Sequence, residues 1–137
     1  SNNSTNIIVF PKNFSFLTGA LNITSNQIFL LESDSIILAI QSNDSYHYPY
    51  VEPLPSYPIT TGKNSEPRFQ GFLSSYYANN IAIIGTGIID GQGEYWWDLY
   101  NNGDLTMTRP RLFELCYSTN IYIAGVTLKR SAFWCLH

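Results

Sequence analysis

Residues 81–97 read IAIIGTGIIDGQGEYWW, and their pattern decides the fold. Two short runs, 81–84 and 87–90, are parted by Gly85-Thr86-Gly87 and closed by Gly91-Gln92-Gly93. β-Branched residues alternating between glycines predict short strands joined by turns too tight for a β-carbon. The pair Trp96-Trp97 follows that polar, glycine-rich bend.

Working outward, the same unit recurs in weaker form. Asn26, Asn80 and Asn120 each precede an alternating apolar strand, and Gly85 and Gly125 follow the last two asparagines at the same offset. A second short strand then follows each, at 35–40, 87–90 and 126–129. Further short apolar runs lie at 6–11, 14–21, 26–31, 71–77, 111–116 and 121–123. None reaches the roughly 10–12 residues expected of a helix. The expectation is an all-β chain.

Such short strands cannot each bury an apolar face alone, but piled about 4.8 Å apart they bury a continuous column. Internal recurrence with insertions of unequal length marks a solenoid whose loops project between coils. Asparagine suits the turns because it tolerates left-handed backbone, and stacked side chains can bond one another as a ladder. An antiparallel sandwich also uses short strands. The repeating units, and the lack of two-residue hairpin turns between alternating partners, favour a parallel β-helix.

Two stretches interrupt the rhythm. Residues 41–70 hold Pro49, Pro53, Pro55, Pro58 and Pro67, interleaved with Tyr46, Tyr48, Tyr50 and Tyr57. Prolines so spaced block helix and central strand alike, which predicts a long excursion across the strands. Its tyrosines either cover apolar surface or form an aromatic wall beside a cleft. A second excursion, 92–110, carries Trp96, Trp97, Asp98 and Asn101-Asn102-Gly103.

Composition narrows the function classes. Of the 137 residues, 45% are hydrophobic and only 12% charged, which excludes disordered and coiled-coil chains. A net charge of −3 with no basic stripe argues against nucleic acid as a partner. No apolar run approaches the roughly 20 residues that span a bilayer, so no membrane partner is expected either. The first residue is not Met, so the chain is read as processed or as a piece of a longer one, with any signal peptide upstream. Sequons at Asn2, Asn3, Asn13, Asn22 and Asn43 give modest support for secretion. Cys116 and Cys135 are either bridged or two buried thiols, with the thiols favoured.

The segment Gly85-Thr86-Gly87-Ile88-Ile89-Asp90-Gly91-Gln92-Gly93, then Trp96-Trp97, closely resembles the G-x-G-x-I-D-G-x-G-x-x-W-W signature of the polygalacturonases, glycoside hydrolase family 28. Val9-Phe10-Pro11 with Phe16-Leu17-Thr18-Gly19 is similar to that family's early V-x-F-P…Y-L-T-G segment. Ser25-Asn26-Gln27-Ile28-Phe29-Leu30 is similar to its S-N-V-x-L strand. Arg109-Pro110, Leu115-Cys116, Asn120-Ile121 and Gly125-Val126-Thr127-Leu128 follow its R-P…C-x-N-V-x-I-x-G-V-x-L. The last seven residues resemble S-P-F-W-x-x-H, with Ala132 where proline is common.

The resemblance implies one pectin-lyase-like domain over 1–137, a right-handed parallel β-helix without its N-terminal cap and C-terminal coils. It implies a secreted or cell-wall enzyme, monomeric at full length, that hydrolyses α-galacturonosyl links of pectic polyuronate by inversion, with no metal and no cofactor. Inversion needs one carboxylic acid for the leaving oxygen and one carboxylate for the water. The family carries these in N-T-D and D-D segments, with later G-H-G and R-I-K motifs, and none of the four occurs here. No catalytic residue is therefore assigned, and the chain alone is expected to be inactive; a non-catalytic carbohydrate-binding or structural remnant is the rival reading.

Asp90 is read as structural, bonding turn amides. Gly85, Gly87, Gly91, Gly93, Trp96 and Trp97 complete that structural motif, the tryptophans packing an excursion on the coil or stacking on sugars. Arg109 and Arg130 are candidates to clasp substrate carboxylates, or else outward strand residues. Trp134 and His137, nearest the expected active coils, are candidates for the cleft floor. Glu94, Asp98 and Asp104 show no metal-ligand spacing, and His47 shows no partner.

Overall fold

The structure, a computed structural model, describes residues 4–53 and 67–137. The strands are β1 (Asn6–Phe10), β2 (Ser15–Thr18), β3 (Leu21–Asn22), β4 (Gln27–Leu31), β5 (Ile36–Ala39), β6 (Tyr50–Val51) and β7 (Arg68–Phe69). They continue as β8 (Leu73–Tyr76), β9 (Asn79–Gly85), β10 (Ile88–Asp90), β11 (Phe113–Cys116), β12 (Thr119–Ala124) and β13 (Thr127–Lys129). One helix, α1 (Glu94–Asn102), lies between β10 and β11.

Three parallel sheets run along the molecule, ordered β1-β4-β9-β12, β2-β5-β10-β13 and β3-β8-β11. A parallel bridge from Phe113 to Leu136 extends the third. Each coil contributes one strand to each sheet before climbing to the next, which is a parallel β-helix. Where the described strands run antiparallel, in the two-residue pair β6–β7, they sit within the first excursion, outside the coils. Residues 54–66 of that excursion, with Pro55, Tyr57 and Pro58, lie outside the described residues.

Register explains the repeat. Gln27 pairs with Ile81 and Ile81 with Ile121, so the preceding Asn26, Asn80 and Asn120 share one level of successive coils. All three are left-handed, with φ of 60°, 59° and 53°. The expected ladder forms: Asn80 Nδ2 donates to Asn26 Oδ1 at 3.1 Å, and Asn120 Nδ2 to Asn80 Oδ1 at 3.3 Å. Asn120 Nδ2 also reaches Asn79 Oδ1 at 2.7 Å.

Inward residues stack into the core. Phe29 lies over Ile83, Ile37 over Ile89, and Leu73 over Phe113, all buried. Each such side chain contributes about 1.5–3 kcal/mol of transfer free energy. The recurrent glycine is dictated by coil spacing. At φ +119°, a β-carbon on Gly85 would lie 1.9 Å from the Leu31 carbonyl oxygen; one on Gly125 would lie 2.3 Å from that of Gly85.

Within the second excursion lies the nine-residue helix α1, which no apolar run of the sequence marks. At nine residues it is shorter than the roughly 10–12 expected of a helix, and its glycine flanks obscure it. Gly103 closes it at φ 77°, its amide donating to the Tyr100 carbonyl at 3.1 Å. Trp96 is its buried anchor, fully enclosed and edge-on to Phe69 and Tyr48 at 4.9 and 5.3 Å. Both excursions therefore pack on each other through one indole. Tyr48 covers apolar surface, whereas Tyr46 is 87% exposed.

Two expectations change. His47 does have a partner, Asp44, whose carboxylate lies 2.8 Å from its Nδ1. The cysteines are free, but Cys135 is exposed and Cys116 only partly buried. Register sets Cys135 level with Leu112, four positions short of Cys116. That is roughly 13 Å along a strand, beyond the ~7 Å a disulfide spans.

Candidate functional site

Asp90 ends β10 where the chain leaves the coil for α1. Its Oδ1 accepts the Gln92 amide at 3.0 Å, the turn bond expected of it. Arg130 grips the same carboxylate with two bonds, Nε to Oδ1 at 2.9 Å and Nη2 to Oδ2 at 2.5 Å, and reaches Glu94 with Nη1 at 3.1 Å. Burial alone would raise the Asp90 pKa, but the bonds from Arg130 and Gln92 outweigh it and hold the carboxyl below its ordinary range. Gly91 and Gly93 let this turn lie against the Arg130 and Ser131 carbonyls, 2.6 Å from where their β-carbons would sit. Gly87 likewise abuts Ser35 and Leu31. Trp97 donates Nε1 to the Ser131 carbonyl at 3.1 Å.

Sequence reasoning missed a second carboxylate. Glu114, fully buried on β11, forms a salt bridge with buried Arg68 of β7. It also accepts the Gly71 amide at 3.1 Å and the Tyr76 hydroxyl at 3.2 Å. This pair fastens the end of the first excursion to the coil. Burial and the nearby Glu114 charge push the Cys116 thiol up to about 11 and raise the Tyr76 phenol. A lone glutamate inside the apolar run Leu112-Phe113-Glu114-Leu115 was the available signal, since a buried charge demands a partner.

The remaining candidates meet around Phe133. The Arg109 guanidinium lies over the rings of Tyr100 and Phe133, 4.2 and 4.9 Å from their centroids. Phe133 stacks on Trp134 at 5.2 Å, and Trp134 lies 5.4 Å from the His137 ring. The guanidinium of buried Arg111 lies over the rings of Phe133 and Trp134, 5.6 and 5.7 Å from their centroids. Burial, then the Arg111 charge, lowers the His137 pKa. Beside this chain of rings opens a pocket of about 360 Å³, bordered by Pro67, Tyr100, Met107, Thr108, Arg109 and Phe133. Trp134 is 48% exposed, so one indole surface faces solvent. Arg109, Trp134 and His137 thus share a surface, while Arg130 is bound in its own carboxylate network. Asn13, Asn22 and Asn43 are exposed; Asn2 and Asn3 lie outside the described residues.

A mixed surface of guanidinium, open indole and imidazole can bind a polar ring bearing a negative charge, through cation pairing and stacking. Asp90 and Glu114, the buried carboxylates among the described residues, are each bonded to an arginine. Among those residues no group of three or more His, Cys, Asp and Glu is placed to hold a metal ion.

Comparison with known proteins agrees with this architecture. The family described as "Glycosyl hydrolases family 28" matches residues 17–137. The chain belongs to glycosyl hydrolases family 28. A probable polygalacturonase of Vitis vinifera is 36% identical over 126 residues, 89% of this chain and 24% of that protein. The polygalacturonase of Erwinia carotovora ssp. carotovora superposes with a TM-score of 0.63 at 26% identity, over 85% of this chain and 32% of that one. The family 28 exopolygalacturonase of Yersinia enterocolitica, at 18% identity, shares the fold with a TM-score of 0.75 over 95% of this chain and 30% of that one. This family 28 chain therefore spans about a quarter of the Vitis relative's length.

Proposed function

We propose that the protein to which this chain belongs hydrolyses α-galacturonosyl links of pectic polyuronate by inversion, outside the cell or in the cell wall. In this reading residues 1–137 supply β-helical coils and part of a cleft wall. The observation that carries it is the surface of Arg109, Phe133, Trp134 and His137, on a chain whose family match extends to residue 137. A polyuronate carries one carboxylate per sugar, which Arg109 is suited to pair, and sugar faces suited to Trp134.

The acid and base of the reaction reside in the family's N-T-D and D-D motifs, which residues 1–137 do not contain. Asp90 cannot substitute, because a general acid needs a raised pKa and Asp90 is held low by Arg130. The rival is a non-catalytic carbohydrate-binding or structural β-helix, favoured by the same arginine-bound carboxylates.

The test extends the coding sequence past the His137 codon and assays reducing ends from polygalacturonate. Hydrolysis by the extended protein, and none by residues 1–137, supports the enzyme. Binding without hydrolysis by the extended protein supports the rival. Release by residues 1–137 alone overturns the assignment of the carboxylates.

A further inference from the structure

The turn leading from the third sheet back to the first differs in length between coils. Glu114 pairs with Ser74 and Thr119 with Asn79, so the second and third coils use turns of equal length. Asn22 also pairs with Ser74, yet Asn26 at the far end is level with Asn80, so the first coil's turn is two residues shorter. What it lacks is the pair of positions occupied by Tyr76-Tyr77 and by Cys116-Tyr117. Tyr77 and Tyr117 stack face to face, with centroids 4.8 Å apart and planes 5° from parallel. The aromatic column stops there. Tyr77 remains 77% exposed, beside a pocket of about 340 Å³ bordered by Asn22, Thr24, Ser25 and Tyr76.

We propose that this pocket seats the first sugar of an N-linked glycan carried by Asn22. Asn22-Ile23-Thr24 is an acceptor sequence, and Asn22 is exposed at the pocket's edge. Buried Gln70 donates Nε2 to Asn22 Oδ1 at 2.9 Å, which fixes the amide by its oxygen and leaves the nitrogen, the atom that is glycosylated, for the sugar. In the transfer Nδ2 bonds to C1 of a lipid diphosphate-linked oligosaccharide. The C1–O bond to the diphosphate breaks, and the amide proton goes to the transferase. The pyranose then takes the place of the missing third ring, its C–H face on Tyr77 and its polar edge toward Thr24 and Ser25. Asn43 differs: its Oδ1 accepts the Tyr95 hydroxyl at 3.1 Å, and it borders neither this pocket nor the one beside Arg109.

The site rests on the secretory route proposed above and is independent of hydrolytic activity. Secretion of the protein extended past the His137 codon, from a eukaryotic host, supplies that route whatever the native location. Peptide mapping then gives occupancy at Asn22, and peptide N-glycosidase release is timed on native and on denatured protein. The expected result is an occupied Asn22 whose glycan is released about tenfold more slowly from the native chain, as one ring-stacking contact would confer. Tyr77→Ala should abolish that protection and Tyr77→Phe should keep it, with the Asn43 glycan as internal reference for folding. An unmodified Asn22 in the secreted protein overturns the proposal. So does native release from Asn22 that is unprotected, or protected equally with and without the Tyr77 ring.

Discussion

At the scale of single residues, two glycines with positive φ separate backbone freedom from crowding. Gly85, at φ +119°, has the Leu31 carbonyl 1.9 Å from where a β-carbon would sit; Gly103, at φ +77°, has nothing within 4 Å. Gly103→Ala is therefore expected to cost about 1 kcal/mol, the left-handed penalty alone. Gly85→Ala forces two coils apart and should leave little soluble folded chain. Denaturant titration and soluble yield of the two variants check this, and equal effects would contradict it. Both glycines are visible in the sequence, but only register reveals that a carbonyl from the coil below fills the space at one of them.

Asp90 gives the pH dependence. Its folded pKa lies below its ordinary 3.8, because Arg130 and the Gln92 amide bind the ionised form. The stability it contributes is complete above 3.8 and is lost as pH falls through that value toward the folded pKa. Asp90→Asn should cost about 2 kcal/mol at pH 7 and flatten the acid limb below pH 4. Unfolding midpoints measured from pH 7 down to pH 3 test both statements. The turn amide bond was legible from an aspartate before Gly-x-Gly. Arg130 as its partner was not, since 40 positions separate the two residues in the chain.

Elements make the next scale, where the excursions are held by contacts that local pattern hides. Truncating Trp96 to alanine removes the indole shared by Tyr48 and Phe69 and should cost about 3–5 kcal/mol. Arg68→Met leaves Glu114 buried without its cation and should cost about 3–5 kcal/mol. Pairing it with Glu114→Leu should recover most of that loss, a coupling that a double-mutant cycle measures. Independent, additive losses would mean that the pair does not fasten the excursion. The strands themselves were readable, because alternation and glycine placement are local properties. Helix α1 was not, because nine residues with one fully buried side chain carry too little periodicity.

For the whole molecule, the stacking of coils explains why composition and a few turn residues suffice to reveal the fold. Successive coils repeat the same problem: three meet it with asparagine at Asn26, Asn80 and Asn120, and the last two of these add Gly85 and Gly125. The surface around Phe133 was only partly legible: Arg109, Trp134 and His137 lie close in sequence, but their common centre emerges from side-chain stacking. The two ends of the column offer backbone groups and apolar layers for edge-to-edge association. Residues 1–137 produced alone are expected to associate or to unfold with a shallow transition, as sedimentation velocity and calorimetry would show. A sharp, reversible melt of a monomer would contradict this.

The central claim, parallel coils in register, is tested most directly by paired nitroxide labels on β9 and β12. One pair replaces Asn79 and Thr119, the other Ile84 and Ala124, which are opposite one another at the two ends of the same ladder. Both pairs should show the strong dipolar broadening of labels about 5 Å apart at the backbone. An antiparallel ladder can bring at most one pair opposite, leaving the other roughly 30 Å apart, or leave both roughly 17 Å apart, so loss of strong broadening in either pair would contradict it.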